Sequence, residues 1–329
     1  MMRLLITGGM GFIGSNFILH MLEKHPSYRI INLDSLTYAG NTENLEQVRH
    51  AANVQFIHGS ITDRPTVDHV MQEVEAVIHF AAESHVDRSI SSPYQFVDTN
   101  VAGTHYLLEA ARRQGITKFI HISTDEVYGS LGPTGYFTEQ SPIAPNSPYS
   151  ASKAASDLLA RSYYETYRFP VVISRCSNNY GPRQFPEKLI PLIITRALED
   201  QPIPIYGDGL NIRDWLFVED HCRAIDLLLH QGVPGEVYNI GGNNEHSNLD
   251  IARAVLQQLG KPESLLQFVS DRPGHDRRYA IDAAKINKQL GWSPVNPFHQ
   301  GLQKTLDWYT GNISWWKKIL ERERMNSEA

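Results

Sequence analysis

The chain has 329 residues, 41% of them hydrophobic and 20% charged, with a formal net charge of −6. That length accommodates one large domain or two lobes around a cleft, and the composition is that of an ordinary globular protein. The acidic balance argues against a broad nucleic-acid surface, which needs an excess of Lys and Arg, while leaving room for a local anion site.

In chain order, short apolar runs at Arg3–Thr7, Arg29–Leu33, Val54–Ile57, Ala76–Phe80, Lys118–Ile122 and Val171–Ser174 read as strands. Amphipathic stretches between them, including Ile13–Glu23, Tyr94–Arg113 and Tyr149–Tyr167, read as helices. Strands that alternate with helices predict βαβ units, a doubly wound parallel sheet of the Rossmann type. After Cys176 the rhythm loosens: Pro182, Pro186, Pro191, Pro202 and Pro204 punctuate longer loops, and Val237–Ile240 reads as one more buried strand. The expected organisation is therefore a dinucleotide-binding domain over 1–175, with 211–240 returning to it, and a smaller substrate lobe from 176–210 and 241–329. The tail, with Trp315 and Trp316, reads as a terminal helix docked by its aromatics. Apolar residues near the start are interrupted before they reach membrane length, and no secretory signal pattern precedes them. With two cysteines outside any CxxC or Cys/His cluster, the expectation is a soluble cytoplasmic protein with no metal site and no membrane partner.

Leu4-Leu5-Ile6-Thr7 runs into a glycine turn that fits two registers, Gly8/Gly11/Gly14 or Gly9/Gly11/Gly14. Glycine there permits the tight turn, close approach of backbone to a pyrophosphate, and close packing of helix on strand. The following helix, with Phe12 and Ile13 in its first turn, offers amide N–H groups to phosphate. Asp34 ends the next strand, where a carboxylate accepts from the adenosine ribose and repels a 2′-phosphate, so the cofactor expected is NAD rather than NADP.

Two further motifs add chemistry. Tyr149 and Lys153 stand four apart on one helical face, where the ammonium is expected to favour the phenolate and make a base for a sugar hydroxyl. Thr124-Asp125-Glu126 follows a strand, and ligands in open α/β sheets bind outside the carboxyl ends of strands.

These motifs together resemble the extended short-chain dehydrogenase/reductase family, and within it the sugar-nucleotide 4,6-dehydratases. The resemblance runs through Thr7–Ser15, 34–40, 81–90, Ser123–Gly129, Pro148–Lys153, 175–182, 213–215, 218–221 and Asp271–Tyr279. It implies NAD as cofactor and a nucleotide sugar, dTDP-glucose, as substrate, with UDP- and GDP-sugars as alternatives because the carboxyl pair does not read the base. It implies Glu126 as the base that takes the C5 proton, Asp125 as the acid that protonates the departing C6 hydroxyl, and Thr124 beside Tyr149 at the C4 hydroxyl. Epimerases of the group usually carry another residue at the position of Asp125, and a non-catalytic NAD-binding protein would be expected to lack Tyr149, Lys153 or Glu126.

By the same resemblance Ser35, Thr37, Ser60, Ile61, Ala81, Ala82, Thr99 and Asn179 line the cofactor, and Lys153 also holds the nicotinamide ribose. Ser84, Asn178, Glu187, Lys188 and Asn248 line the substrate, with His275 in a matching motif and Pro204 and Tyr206 near the base. Arg213 and Arg272 contact the diphosphate, as guanidinium suits bidentate phosphate binding. His79 and His121 lie inside apolar strands and read as core residues. A homodimer through the helices at Tyr94–Arg113 and Tyr149–Tyr167 is also expected.

Overall fold

The computed structural model describes residues 1–271 and 273–328. Twelve strands follow in chain order: β1 (Arg3–Thr7), β2 (Arg29–Asp34), β3 (Val54–His58), β4 (Ala76–His79), β5 (Lys118–Thr124), β6 (Val171–Cys176), β7 (Asn178–Tyr180), β8 (Ile203–Tyr206), β9 (Ile212–Phe217), β10 (Val237–Ile240), β11 (Glu245–Ser247) and β12 (Leu266–Val269). Seven form one parallel sheet in the order β10-β6-β5-β4-β1-β2-β3. The doubly wound Rossmann-type reading therefore holds, and the order of winding reverses between β1 and β4, where such sheets open a crevice at their carboxyl ends.

Alternation along each strand feeds two cores. Leu4, Ile6, Ile78, Ile120 and Val172 pack against Phe17, Ile18 and Met21 of the helix Phe12–Lys24 and against Ile225 and Leu228 of the helix Val218–Gln231. Leu5, Val77, Phe119 and Ile173 face the other way, onto Val67, Leu107, Leu108 and Ala160. Both faces are covered, as the apolar runs required.

The second lobe has its own core, in which Ile193, Trp215, Phe217, Val255, Leu306 and Trp316 are buried together. The tail forms the helix Ile313–Glu328, and Trp315 and Trp316 are buried. One expectation needs correction. Of the segment 211–240, β10 joins the main sheet, but β9 pairs with β7 and β11 in a separate three-stranded sheet. Asp214 on β9 causes the divergence: it accepts from Gly242 N (2.9 Å) and Asn244 N (2.7 Å), which ties β9 to the turn after β10. Among the described residues no helix is long and apolar enough to cross a membrane.

Gly242 sits where the two sheets meet, and a Cβ there would lie 2.0 Å from the carbonyl oxygen of Trp215. Overpacking of this kind costs about 1–3 kcal/mol. Gly242→Ala is therefore expected to lower Tm by about 2–8 °C in a thermal scan.

Candidate active site

A cleft of about 460 Å³ opens at the carboxyl ends of β1, β4, β5 and β6, within the range of small-ligand sites. Its cofactor end is built on the glycine turn. Gly8 has φ +73°, a conformation natural only to glycine, and a Cβ on it would lie 2.6 Å from Ala81 N. A Cβ on Gly14 would lie 2.3 Å from Gly8 O, so helix and strand touch through bare backbone. Gly11 meets nothing closer than 3.3 Å and faces the cleft. The positive φ at Gly8 selects the first of the two registers. The helix starting at Phe12 has no side-chain cap, so its amides are oriented toward an anion in the cleft. Glycine spacing and uncapped helix together fit a dinucleotide pyrophosphate.

Asp34 does more than face a ribose. Its two carboxylate oxygens accept from Met10 N and Leu36 N, each at 2.8 Å, so it clamps the glycine turn to the loop after β2. Burial raises its pKa, and these two amides pull it back down.

All the residues expected to hold the cofactor line this one cleft: Gly8, Gly11, Phe12, Ile13, Gly14, Asp34, Ser35, Thr37, Ser60, Ile61, Ala81, Ala82, Thr99, Tyr149, Lys153 and Asn179. Thr99 lies in a wide π-helical turn, Val97–Gly103, inserted between Pro93–Phe96 and Thr104–Arg113. Asn100 in that turn donates to Ser152 Oγ (2.8 Å) and to Glu83 O (3.0 Å), fixing the loop after β4.

The reacting end is set by two helix starts. β5 runs to Thr124, two residues beyond the expected end, and its Oγ1 accepts from Glu126 N at 3.3 Å, capping the tight helical turn Asp125–Tyr128. That turn aims adjacent carboxyls differently: Asp125 is 1% exposed, and Glu126 is half-buried in the cleft wall. Asp125 accepts from Thr124 Oγ1 (3.3 Å), and its Oδ2 has no hydrogen-bond partner. Burial, then the charge of Glu126, pushes its pKa well above the usual carboxyl range, with Asp214 adding to the rise and Arg213 opposing it.

Ser147 and Ser150 form a reciprocal capping box at the start of the helix Pro148–Tyr167, which places Tyr149 and Lys153 on its cleft face. Tyr149 is hydrogen-bonded to Thr124. Lys153 Nζ donates to Ile122 O at 2.7 Å, and burial lowers its pKa to about 8. Burial and Glu126 hold Tyr149 well above its ordinary range, and the Thr124 hydrogen bond is what opposes them.

Toward the other end, Ser84, Asn178, Glu187 and Lys188 line the cleft with Thr124. Lys188 Nζ donates to Ser84 O (2.9 Å), and Glu187 accepts from Arg88 Nη2 (3.1 Å). Pro204, Tyr206, Arg213, Asn248 and His275 are not among its lining residues. Pro204 and Tyr206 lie on β8, paired with β12, and Tyr206 meets the ring of His275 edge-on at 6.4 Å. Asn248 begins the helix Asn248–Leu259. Arg213 is buried, stacked over Tyr279 at 4.4 Å and donating to Ile212 O and Asp276 O. Arg272 lies outside the described residues.

His79 bridges Thr7 Oγ1 (2.8 Å) and Thr104 Oγ1 (2.9 Å), and burial keeps it neutral. His121 sits against Ser156 and Asp157, so both are core residues.

Sequence reasoning missed the wall formed by Tyr38 and Arg88. The Arg88 guanidinium stacks on Tyr38 at 3.9 Å and donates to Glu187 and to Glu323 of the terminal helix. That helix also reaches the cofactor end. Arg322 donates to Tyr38 O, Trp315 Nε1 donates to Asn44 Oδ1 (3.0 Å), and Asn44 Nδ2 donates to Met10 O (2.8 Å). The partners are too far apart in sequence for any local pattern to signal them.

A Rossmann sheet with a Tyr/Lys pair and a carboxyl pair around one cleft defines a nucleotide-sugar enzyme of the extended short-chain dehydrogenase/reductase class. A family model described as GDP-mannose 4,6 dehydratase matches residues 5–305. The chain is 52% identical to the dTDP-glucose 4,6-dehydratase of Xanthomonas campestris pv. campestris (strain B100), over 96% of this chain and 95% of that one. A dTDP-glucose 4,6-dehydratase from Streptomyces venezuelae, solved with NAD bound, superposes with a TM-score of 0.95 at 49% identity, covering 97% of this chain and 100% of that one. A Thermus thermophilus UDP-glucose 4-epimerase complex with NAD is more distant, with a TM-score of 0.87 and 32% identity over 94% of this chain and 100% of that one. The chain belongs to the dTDP-glucose 4,6-dehydratase family.

The burial of Asp125 has a consequence for stability. Below its ordinary pKa of 3.8 the group is protonated in both folded and unfolded chains. Above it the unfolded chain ionises while the folded one keeps its proton, so stability falls as pH rises toward the folded-state pKa. Asn cannot ionise. The Tm of Asp125→Asn relative to wild type is therefore expected to rise by about 2–5 °C between pH 5 and pH 8, measured by calorimetry.

Proposed function

We propose that this chain converts dTDP-glucose to dTDP-4-keto-6-deoxyglucose, a hydro-lyase reaction, with tightly held NAD. The observation that carries the reading is the buried Asp125 beside the less buried Glu126, in the same cleft as Tyr149 and Lys153. Bound NAD supplies a reversible hydride acceptor, so that oxidation at C4 and reduction at C6 balance within one cycle.

The chain's residues supply the proton transfers. Tyr149, hydrogen-bonded to Thr124, takes the C4 hydroxyl proton. Lys153, which keeps most of its charge at neutral pH, would stabilise the phenolate as that proton moves. The 4-keto group acidifies the C5 proton, which Glu126 removes. Hydroxide is a poor leaving group, and Asp125, held protonated by burial, delivers the proton that releases it as water. Asn179, whose Oδ1 is paired with His221 Nδ1 at 2.9 Å, would lie near the nicotinamide. Ser84, Asn178 and Lys188 would contact the sugar nucleotide within the cleft. By the resemblance, Arg213, Arg272, Pro204, Tyr206, Asn248 and His275 would serve its diphosphate and base.

A homodimer through the helices at 93–113 and 148–167 belongs to the same proposal. It is supported by large apolar side chains left outward there: Tyr94 is 77% exposed, Val97 54% and Leu158 53%. The two cysteines are buried thiols, consistent with residence in the reducing cytoplasm.

Three outcomes test these assignments. Deuterium placed at glucose C4 should appear at C6 of the product and solvent deuterium at C5; an epimerised hexose would sink the dehydratase reading. Asp125→Asn should slow elimination by roughly 10²–10⁴-fold while C4 oxidation largely persists in single-turnover absorbance, and equal loss of both steps would contradict its acid role. Leu158→Glu should shift the species seen by light scattering from dimer to monomer, and an unchanged mass would place the interface elsewhere.

A further inference from the structure

On the side of the main sheet that carries the dinucleotide helix, four side chains converge with no part in the chemistry above. The helix Phe12–Lys24 ends at His25, and His20 lies on its last turns. The helix Val218–Gln231 carries Asp226 and His230, four apart and so on one face. His25 Nε2 lies 3.0 Å from Asp226 Oδ1, His230 Nδ1 lies 3.0 Å from the same oxygen, and His20 Nε2 lies 2.9 Å from Oδ2.

We infer that His25, Asp226 and His230 form a binding site for a divalent cation of the zinc class, with His20 holding the carboxylate from behind. One donor atom from each of these three lies within 4.8 Å of the others. Around a tetrahedral zinc ion with bonds of about 2.0–2.1 Å, donors stand roughly 3.3–3.4 Å apart, so the two 3.0 Å contacts to Asp226 open slightly and the two imidazole nitrogens settle at that spacing. Imidazole and carboxylate are ligand types that zinc, cobalt and nickel share.

The surroundings fix the rings as outer-shell groups do in metal sites. The Tyr28 hydroxyl is hydrogen-bonded to His230 Nε2 at 2.9 Å, and His230 Nδ1, now 2.8 Å from the Asp226 carbonyl oxygen, gives up that contact to the ion. His25 stacks on Tyr28 at 4.7 Å and lies 4.9 Å from His230. Side-chain exposures of 27% for His25 and 28% for His230 leave an entry path and room for a water as fourth ligand. His25 and Asp226 are 201 positions apart, so no spacing motif announces the site. An ion there would staple the dinucleotide helix to its neighbour, and its effect is on stability.

The test uses untagged, metal-stripped protein with its NAD bound. Zinc chloride titrated by calorimetry should bind with one equivalent per chain and raise Tm by about 5 °C at roughly 100-fold above Kd. Cobalt(II) should give visible d–d bands that zinc removes. His25→Ala and His230→Gln should each weaken binding by more than about tenfold, with His20→Ala weakening it less. The exposed His230 keeps the test available should His25→Ala fold poorly. Absence of saturable one-to-one binding below about 100 µM would overturn the proposal, as would undiminished binding in both variants.

Discussion

Burying a carboxyl group on the wall of a polar cleft is the constraint around which this molecule is organised. A carboxyl moved away from water without full compensation keeps its proton, and that proton is what the proposed elimination needs. Holding Asp125 in place requires β5 to run two residues further than its apolar run, Thr124 to cap the turn, and Asp214 and Arg213 to stand behind it. Asp214 is itself fixed by the turn after β10. The junction of the two sheets thus serves the acid as much as it serves the fold.

The opposite side of the cleft shows complementary logic. Tyr149 and Lys153 are assigned proton transfer from a sugar hydroxyl, and burial leaves Tyr149 a neutral phenol at pH 7 while Lys153, lowered only to about 8, keeps most of its charge. Burial disfavours the phenolate on one and the ammonium on the other. In the proposed reaction the phenolate forms only as the hydroxyl gives up its proton, which couples proton removal to hydride transfer. Such an arrangement suits an enzyme that reduces and reoxidises the same nicotinamide and needs no external reductant.

The main sheet, the glycine turn, Asp34 and both catalytic motifs were legible in the sequence because each is local or periodic. Strand alternation exposes the two cores, and Gly8, Gly11 and Gly14 are spaced by the turn they build. What was not legible depends on partners brought together only by folding. Glu187 reads as a substrate contact but is engaged by Arg88. Asp34 reads as a ribose ligand but also clamps the glycine turn. The strand at Ile212–Phe217 left the main sheet because Asp214 answers to amides beyond residue 240. The π-helical turn at Val97–Gly103 has no composition signature, since its register is set by Asn100 against Ser152.

The helix Ile313–Glu328 braces the cofactor end of the cleft from a distance. Trp315 and Arg322 brace Asn44 and Tyr38, which in turn support the glycine turn and the cleft wall. Asn44, which supports the glycine turn, thus leans on a residue 271 positions further along the chain. Fraying of that helix would therefore loosen the glycine turn and the cleft wall together, although neither belongs to it.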